Sequence, residues 1–525
     1  MSEPGPQQPQ PESAPASSPA PSPGLDRKDW LLIGALLAAF ALARIPLFPF
    51  AENLYGDSVV RSELAERWAN EPTFYTSFKD GVYQFGPLHF YYMGLLMKAW
   101  PSREHATRLA SLLMGLLLVL PVYRLGKRLF SRRAAVVAGL SISAWSLHIQ
   151  ASTTAASEAV FLTLLFFALD YLFRGIAEQR FRPMAAAALF TNLVCALRYD
   201  GWMYAPLFAL TIAVSGKDRI ASLTRGVLFG ALACAFPLWW MQMNEKATGD
   251  ALYPIHYIDD FHARWVEDGV AWLGSAGQRA MALFFWPGTL LVTVSLLVGA
   301  LALVGLVRCL VKKERRALAL LALIPVAYYT FRGAALLNFS PLARFFMAQI
   351  ALALFYVDDG FTALFGKLPR RGRQLVAGAT AAVAIATPTF LGLATAWKSG
   401  PVADTLRPIS PLSTIPTDQM GTARFLKQQV QADETVAIDE APQYVDINVA
   451  FFTGLPEPRL ARRRWENFEK QLREQPKPRW LFLAKGGVLE TKDGLPAGGE
   501  RLLWRGDTWS KVFSSSESLF VYQRL

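Results

Sequence analysis

Long apolar runs joined by short connections rich in Lys and Arg constrain this chain more than any other feature. The runs 30–42, 109–122 and 290–307 carry no charged residue, and a helix of about 20 predominantly apolar residues is what a bilayer core requires for one crossing. Composition closes the alternative. With 53% apolar and 18% charged residues over 525, the chain lacks the charge to coat the three or four soluble domains that its length would otherwise make. A soluble enzyme is excluded, and a polytopic α-helical membrane protein is expected.

Apolar length places about eleven transmembrane helices, near 29–48, 106–127, 134–151, 157–174, 183–197, 201–215, 223–243, 281–308, 316–334, 341–360 and 374–397. Orientation follows from where Lys and Arg collect in short loops. Arg124, Lys127, Arg128, Arg132 and Arg133 share one loop without an acid, and 312–316 and 367–373 are similarly basic, so these loops are expected on the cytoplasmic side. Segments 51–85 and 244–280 each hold six acids against three bases and belong on the other side. A cytoplasmic N-terminus then puts the chain after 397 outside. The short segments 183–197 and 201–215 are also compatible with a hairpin tipped by Arg198, Asp200 and Gly201 that does not cross fully.

Three regions result. Residues 1–25, rich in Pro, Ser, Gln and Ala, cannot bury enough surface to order and are expected to form a disordered cytoplasmic tail. Residues 26–397 form the transmembrane domain, with outer loops 51–105 and 244–280. Residues 398–525 are polar, with strand-like runs at 435–439, 480–484 and 519–523 and a helix-like run at 459–474, and are expected to form a small extracytoplasmic α/β domain. Segment 86–100, apolar but short and aromatic, suits a helix at the membrane interface. The net charge of +12 is spread over helix ends rather than gathered on one face, which argues against nucleic acid as a partner. Cys195, Cys234 and Cys309 all fall in apolar runs and suggest no disulfide or Cys metal site.

Chemistry is expected in the two outer loops. Asp57, in Tyr55-Gly56-Asp57-Ser58, follows the first helix and precedes a helix-like stretch. Two readings are open: a general base acting on a hydroxyl or amine beside the membrane, or a helix cap. Glu158 begins the fourth apolar helix, where it is either a cap, the helix dipole favouring a carboxylate by about 0.3–1 kcal/mol, or a substrate-binding acid facing the same cavity as Asp57. Arg61, Arg198, His256 and Arg344 are candidate cations for an anionic substrate, Arg being suited to bidentate contacts with phosphate. His256, Asp259 and His262 are candidate ligands for a divalent metal, although their spacing matches no recognised ligand pattern.

The order of these features resembles the GT-C glycosyltransferases of family 39, among them protein O-mannosyltransferases, the aminoarabinose transferase of lipid A and lipopolysaccharide-core sugar transferases. The residues that carry it are the Asp57 loop, Pro87-Leu88-His89-Phe90-Tyr91-Tyr92, the stretch from Arg108 to Leu117, Tyr123-Arg124-Leu125-Gly126-Lys127-Arg128, the stretch from His148 to Phe161 and Ala343-Arg344-Phe345. The resemblance covers about 30–360. It implies a polyprenyl-phosphate sugar as donor, Asp57 as the base that activates an acceptor, and an envelope lipid, polysaccharide or protein as that acceptor, in a bacterial inner membrane. Where relatives carry Asp-Glu this chain has Asp57-Ser58, and where many carry Glu-Lys-Pro-Pro-Leu it has Gln84-Phe85-Gly86-Pro87-Leu88, so a metal-holding Glu and a phosphate-meeting Lys are missing. A lipid or sugar transporter or flippase, and an inactive envelope scaffold, are the alternatives.

Overall fold

The computed structural model describes residues 24–53, 56–82, 85–216, 218–312, 315–398, 400–465, 467–474 and 477–525. Most of the tail expected over 1–25, together with Tyr55 and Gln84, lies outside the described residues. The first helix, Arg27–Arg44, starts where a capping box places it: Asp26 accepts from the Asp29 amide and Asp29 from the Asp26 amide, both at 2.8 Å.

Among the described residues, five helices are long and apolar enough to cross a membrane: His105–Leu129, Ser157–Glu178, Arg316–Leu336, Ala343–Phe365 and Arg370–Thr395. Two bent pairs, Arg132–Ser143 with Ser146–Thr153 at 63° and Arg219–Ala233 with Ala235–Thr248 at 45°, bring the number to seven if each is one span. The chain is a multi-pass membrane protein. The other expected spans are helical but depart from ideal crossings for identifiable reasons. Arg27–Arg44 holds four charges in eighteen residues, Phe181–Leu197 is short, and the run 281–308 is divided between Tyr253–Thr293 and Leu296–Lys312, with Ser295 at φ 156 between them.

The helices pack closely where glycines allow it. A Cβ on Gly305 would lie 2.0 Å from the Tyr356 carbonyl oxygen, and one on Gly360 would lie 1.9 Å from that of Leu301, the small-residue contact by which membrane helices approach. The basic loop at 124–133 is partly neutralised by acids from elsewhere. Buried Asp170 pairs with Arg124 at 2.8 Å and Arg128 at 3.4 Å, and buried Asp29 pairs with Lys127 at 2.6 Å and Arg132 at 2.8 Å.

The C-terminal region is a sheet domain. Its strands are β1 (Val436–Ile438), β2 (Leu460–Arg462), β3 (Trp480–Ala484), β4 (Arg501–Trp504), β5 (Asp507–Ser514) and β6 (Leu519–Arg524), in the order β2-β1-β3-β6-β5-β4. The β1 pairings with β2 and β3 are parallel and the rest antiparallel. The helix-like run 459–474 is corrected: it contains β2 and only a short helix, Phe468–Glu474. Leu460 and Ala461 are fully buried, and parallel pairing with β1 outweighs local helical preference.

The sheet domain docks on Gly56–Asn70, the helix that carries Asp57. Arg462 reaches Glu63 at 2.7 and 3.2 Å, and Ile447 and Phe451 are buried in one cluster with Val59 and Val60.

Candidate functional site

A cavity of about 530 Å³ opens where the Gly56–Asn70 helix, the starts of Leu88–Ala99 and Ser157–Glu178, and the segments 197–203 and 339–347 converge with the sheet domain. Its close packing depends on one glycine. A Cβ on Gly86 would fall 2.2 Å from the Ala196 carbonyl oxygen and 2.6 Å from Leu197, so only glycine lets the segment before Leu88–Ala99 lie against the end of Phe181–Leu197.

Four carboxylates and four guanidinium groups face this cavity: Asp57, Glu158, Asp200 and Asp259 with Arg61, Arg198, Arg332 and Arg344. Asp57, one-fifth exposed, accepts a hydrogen bond from Arg344 Nη1, and Arg61 Nη2 lies 3.8 Å from the same oxygen. Burial pushes the Asp57 carboxyl up, but the charges of Arg344 and Arg61 outweigh it and hold the group below the usual carboxylate range. Arg198 donates to Glu158 at 2.6 Å, to Asp200 at 2.6 and 3.0 Å and to the Ser157 hydroxyl at 2.9 Å. Tyr329 donates to the other Asp200 oxygen at 3.2 Å.

Arg61 is the cation with most to give. It is buried, and its nearest carboxylate, at 3.8 Å, is shared with Arg344. Its guanidinium lies 4.4 Å from the Phe85 ring centroid. Burial lowers its pKa to about 10. Phe85 stands where the resemblance leads one to look for Lys, and the cation found there is Arg61 resting on that ring.

Of the residues singled out in the sequence, Asp57, Arg61, Glu158, Arg198, Asp259, His262 and Arg344 line the one cavity. His256 does not: it is exposed and its Nδ1 pairs with Asp250 at 2.7 Å. The metal candidates His256, Asp259 and His262 do not form one ligand set. Asp259 is held by Arg332 at 3.0 Å, and His262 is buried with its ring 4.3 Å from that of Phe339. Burial, reinforced by Arg332, lowers the His262 pKa to about 4. No group of three or more His, Cys, Asp or Glu suited to a metal occurs among the described residues.

Two further lining residues were not among the site candidates. His89, in the Pro-Leu-His-Phe stretch, lines the cavity with neither ring nitrogen hydrogen-bonded. Tyr444 arrives from the sheet domain.

A family model described as dolichyl-phosphate-mannose-protein mannosyltransferase matches residues 84–240, which include Glu158 and Arg198 but neither Asp57 nor Arg344. Among solved structures, the chain is similar to ArnT from Cupriavidus metallidurans bound to undecaprenyl phosphate, at 15% identity and a TM-score of 0.61, over 95% of this chain and 98% of that one. The apo state of that protein gives 13% identity and a TM-score of 0.63, over 94% and 97%. An Archaeoglobus fulgidus oligosaccharyltransferase in complex with zinc and sulfate is similar at 14% identity and a TM-score of 0.53, over 87% of this chain and 68% of that one. No curated protein matches the chain by sequence. The structural likeness extends well beyond the stretch matched by the family model. The fold is therefore shared with ArnT over nearly the whole chain, and residues 84–240 also match the mannosyltransferase family model.

Proposed function

We propose that this protein transfers a hexose or pentose from a polyprenyl-phosphate donor to an acceptor on the extracytoplasmic face of a bacterial inner membrane, with Asp57 as general base. The observation that carries the reading is the Asp57 carboxylate held between Arg344 and Arg61 in a cavity beside membrane helices. The bound undecaprenyl phosphate of the similar ArnT supports a lipid-phosphate donor. In this reading the N-terminus is cytoplasmic, the sheet domain is extracytoplasmic, and the boundaries at 26 and 397 divide tail, membrane domain and sheet domain. The acceptor is an envelope lipid, polysaccharide or protein.

The chemistry needs three things from the chain. Arg344 and Arg61 hold the donor phosphate, Glu158 and Asp200 fix Arg198 beside it, and Asp57 takes the acceptor proton. As the acceptor oxygen or nitrogen bonds to the anomeric carbon, the bond from that carbon to phosphate oxygen breaks, and its electron pair leaves with polyprenyl phosphate. The developing charge falls where guanidinium groups already point. Arg344 serves both partners in turn. When donor phosphate draws its guanidinium away, Asp57 loses the charge that lowers its pKa and becomes a stronger base, so donor binding prepares the base.

The test is incubation of purified protein in lipid with a panel of polyprenyl-phosphate sugars and an envelope extract supplying lipid, polysaccharide and protein acceptors, following release of free polyprenyl phosphate. Release from at least one donor is expected. Intact, folded protein that releases none of them contradicts the reading.

A further inference from the structure

One wall of the cavity comes from outside the membrane helices. Tyr444 lies six residues beyond the end of β1 and lines the same cavity as Asp57 and Arg344. Gln443 and Tyr444 both adopt left-handed backbone, at φ 54 and 62. Residues with a Cβ take this conformation at a cost, and consecutive ones persist only where the surroundings over-determine them.

The surroundings here do so. The Arg464 guanidinium lies 4.9 Å from the Tyr444 ring centroid. It is fixed in turn by Asp446 at 2.8 Å, Glu440 at 3.1 Å and the Ala441 carbonyl at 3.0 Å. The helix that follows, Val445–Thr453, is bound to the helix of Asp57 itself. Phe451 carries the Arg103 guanidinium at 4.3 Å, and Arg103 donates to Glu63 at 2.9 Å. Tyr444 is therefore held in register with Asp57 by a short, rigid path. Its side of the cavity remains open, with 37% of the residue exposed, and its phenol feels the charges of both Asp57 and Arg344. An aromatic ring with a polar tip offers an apolar face to the C–H side of a sugar and a hydroxyl to its polar groups.

We propose that Tyr444 is a sugar-binding residue that packs on the sugar of the lipid-linked donor while the phosphate lies toward Arg344, so that the site is complete only with the sheet domain docked. The inference rests on the donor reading above and adds the group that recognises the sugar rather than the phosphate. Tyr444 binds the sugar and takes no part in the proton or charge chemistry, for which Asp57 and the arginines account.

The test compares two lipids on the full chain: an undecaprenyl-phosphate sugar that the wild type turns over, and sugar-free undecaprenyl phosphate. Tyr444→Ala is expected to weaken the sugar-bearing lipid by about tenfold and to leave the sugar-free lipid within twofold. Tyr444→Phe keeps the ring and its contact with Arg464, and is expected to retain most of the preference, which guards against misfolding. Equal loss for both lipids in Tyr444→Ala overturns the proposal. So does unchanged donor affinity with a raised KM for acceptor, which would make Tyr444 part of the acceptor wall. Wild-type protein that turns over no undecaprenyl-phosphate sugar and binds neither lipid class defeats the donor reading itself. Wild-type protein that binds both, with Tyr444→Ala indistinguishable from it, defeats this inference alone.

Discussion

Replacing Arg344 with Gln removes one charge from the Asp57 pair while keeping a hydrogen-bond donor in place. Two unit charges about 4 Å apart interact by about 4 kcal/mol at an effective dielectric constant of 20 and about 1 kcal/mol in bulk water. Asp57 is 20% exposed and Arg344 30%, between those limits. At about 1.4 kcal/mol per pH unit, loss of Arg344 moves the Asp57 pKa up by about one to three units. The sign follows from the chemistry. The carboxylate is the active form, so activity falls as pH falls through this pKa, and raising the pKa moves the acid limb to higher pH. The assay is release of polyprenyl phosphate from about pH 2.5 to 9, a window that reaches the low wild-type limb, plotted as kcat/KM, which reports groups of the free enzyme. Arg344→Gln should shift the acid limb up by at least about one unit and lower the plateau by about a hundredfold, because a guanidinium aimed at the leaving phosphate is lost. A variant with a measurable rate and an acid limb superimposed on that of wild type refutes the coupling between Arg344 and the base.

Three further perturbations probe other parts of the site and fold. Glu158→Gln leaves the buried Arg198 with Asp200 as its remaining carboxylate at 2.6 Å; a destabilisation of about 3 kcal/mol is expected in thermal or denaturant unfolding, larger than for the more exposed Asp200→Asn, and the reverse order would contradict the assignment. Gly86→Ala sets a methyl group 2.2 Å from the Ala196 carbonyl oxygen and should cost about 1–3 kcal/mol; wild-type stability and activity would show that the approach of the two segments is looser than described. In the sheet domain, burial raises the pKa of Asp439 to about 7, despite hydrogen bonds from the Leu489 and Ala484 amides. Its folded pKa lies above the unfolded value of about 3.9, so its contribution to stability is complete below pH 4 and is lost as pH rises through 7; Asp439→Asn should flatten that decline, and wild-type stability that rises across the same window would argue against it.

The membrane character, the helix at 88–99 and the helix after Asp57 were legible because each rests on local apolar length or composition. Arg198 and Asp200 stand two residues apart, whereas the contact of Arg198 with Glu158, forty residues away, leaves no local mark. No local pattern encodes which helices share a cavity, and Arg344 reaches Asp57 across 287 residues of sequence. The helix breaks at 144–145 and 294–295 interrupt runs that carry no Asp, Glu, Lys or Arg, so hydropathy passes through them without a mark. Three-residue strands such as β2 are too short to show a period, and pairing with distant β1 decides their conformation. His256 and His262 were attractive as a pair by residue type. In the fold, one faces away from the cavity toward Asp250 and the other is walled in by aromatic rings. Tyr444 lay in a region read as a separate domain, and its role emerges only from docking of that domain on the helix of Asp57.

Asp57→Asn tests the central claim most directly, with donor binding and donor turnover measured on the same purified preparation. Asn keeps the shape and loses both the charge and the basicity, so the account predicts a variant that binds the lipid-linked sugar at least as well as wild type, because Arg344 is freed for the phosphate, and that releases no polyprenyl phosphate. Turnover at the wild-type rate in Asp57→Asn would contradict the assignment of the base and, with it, the mechanism built on this cavity.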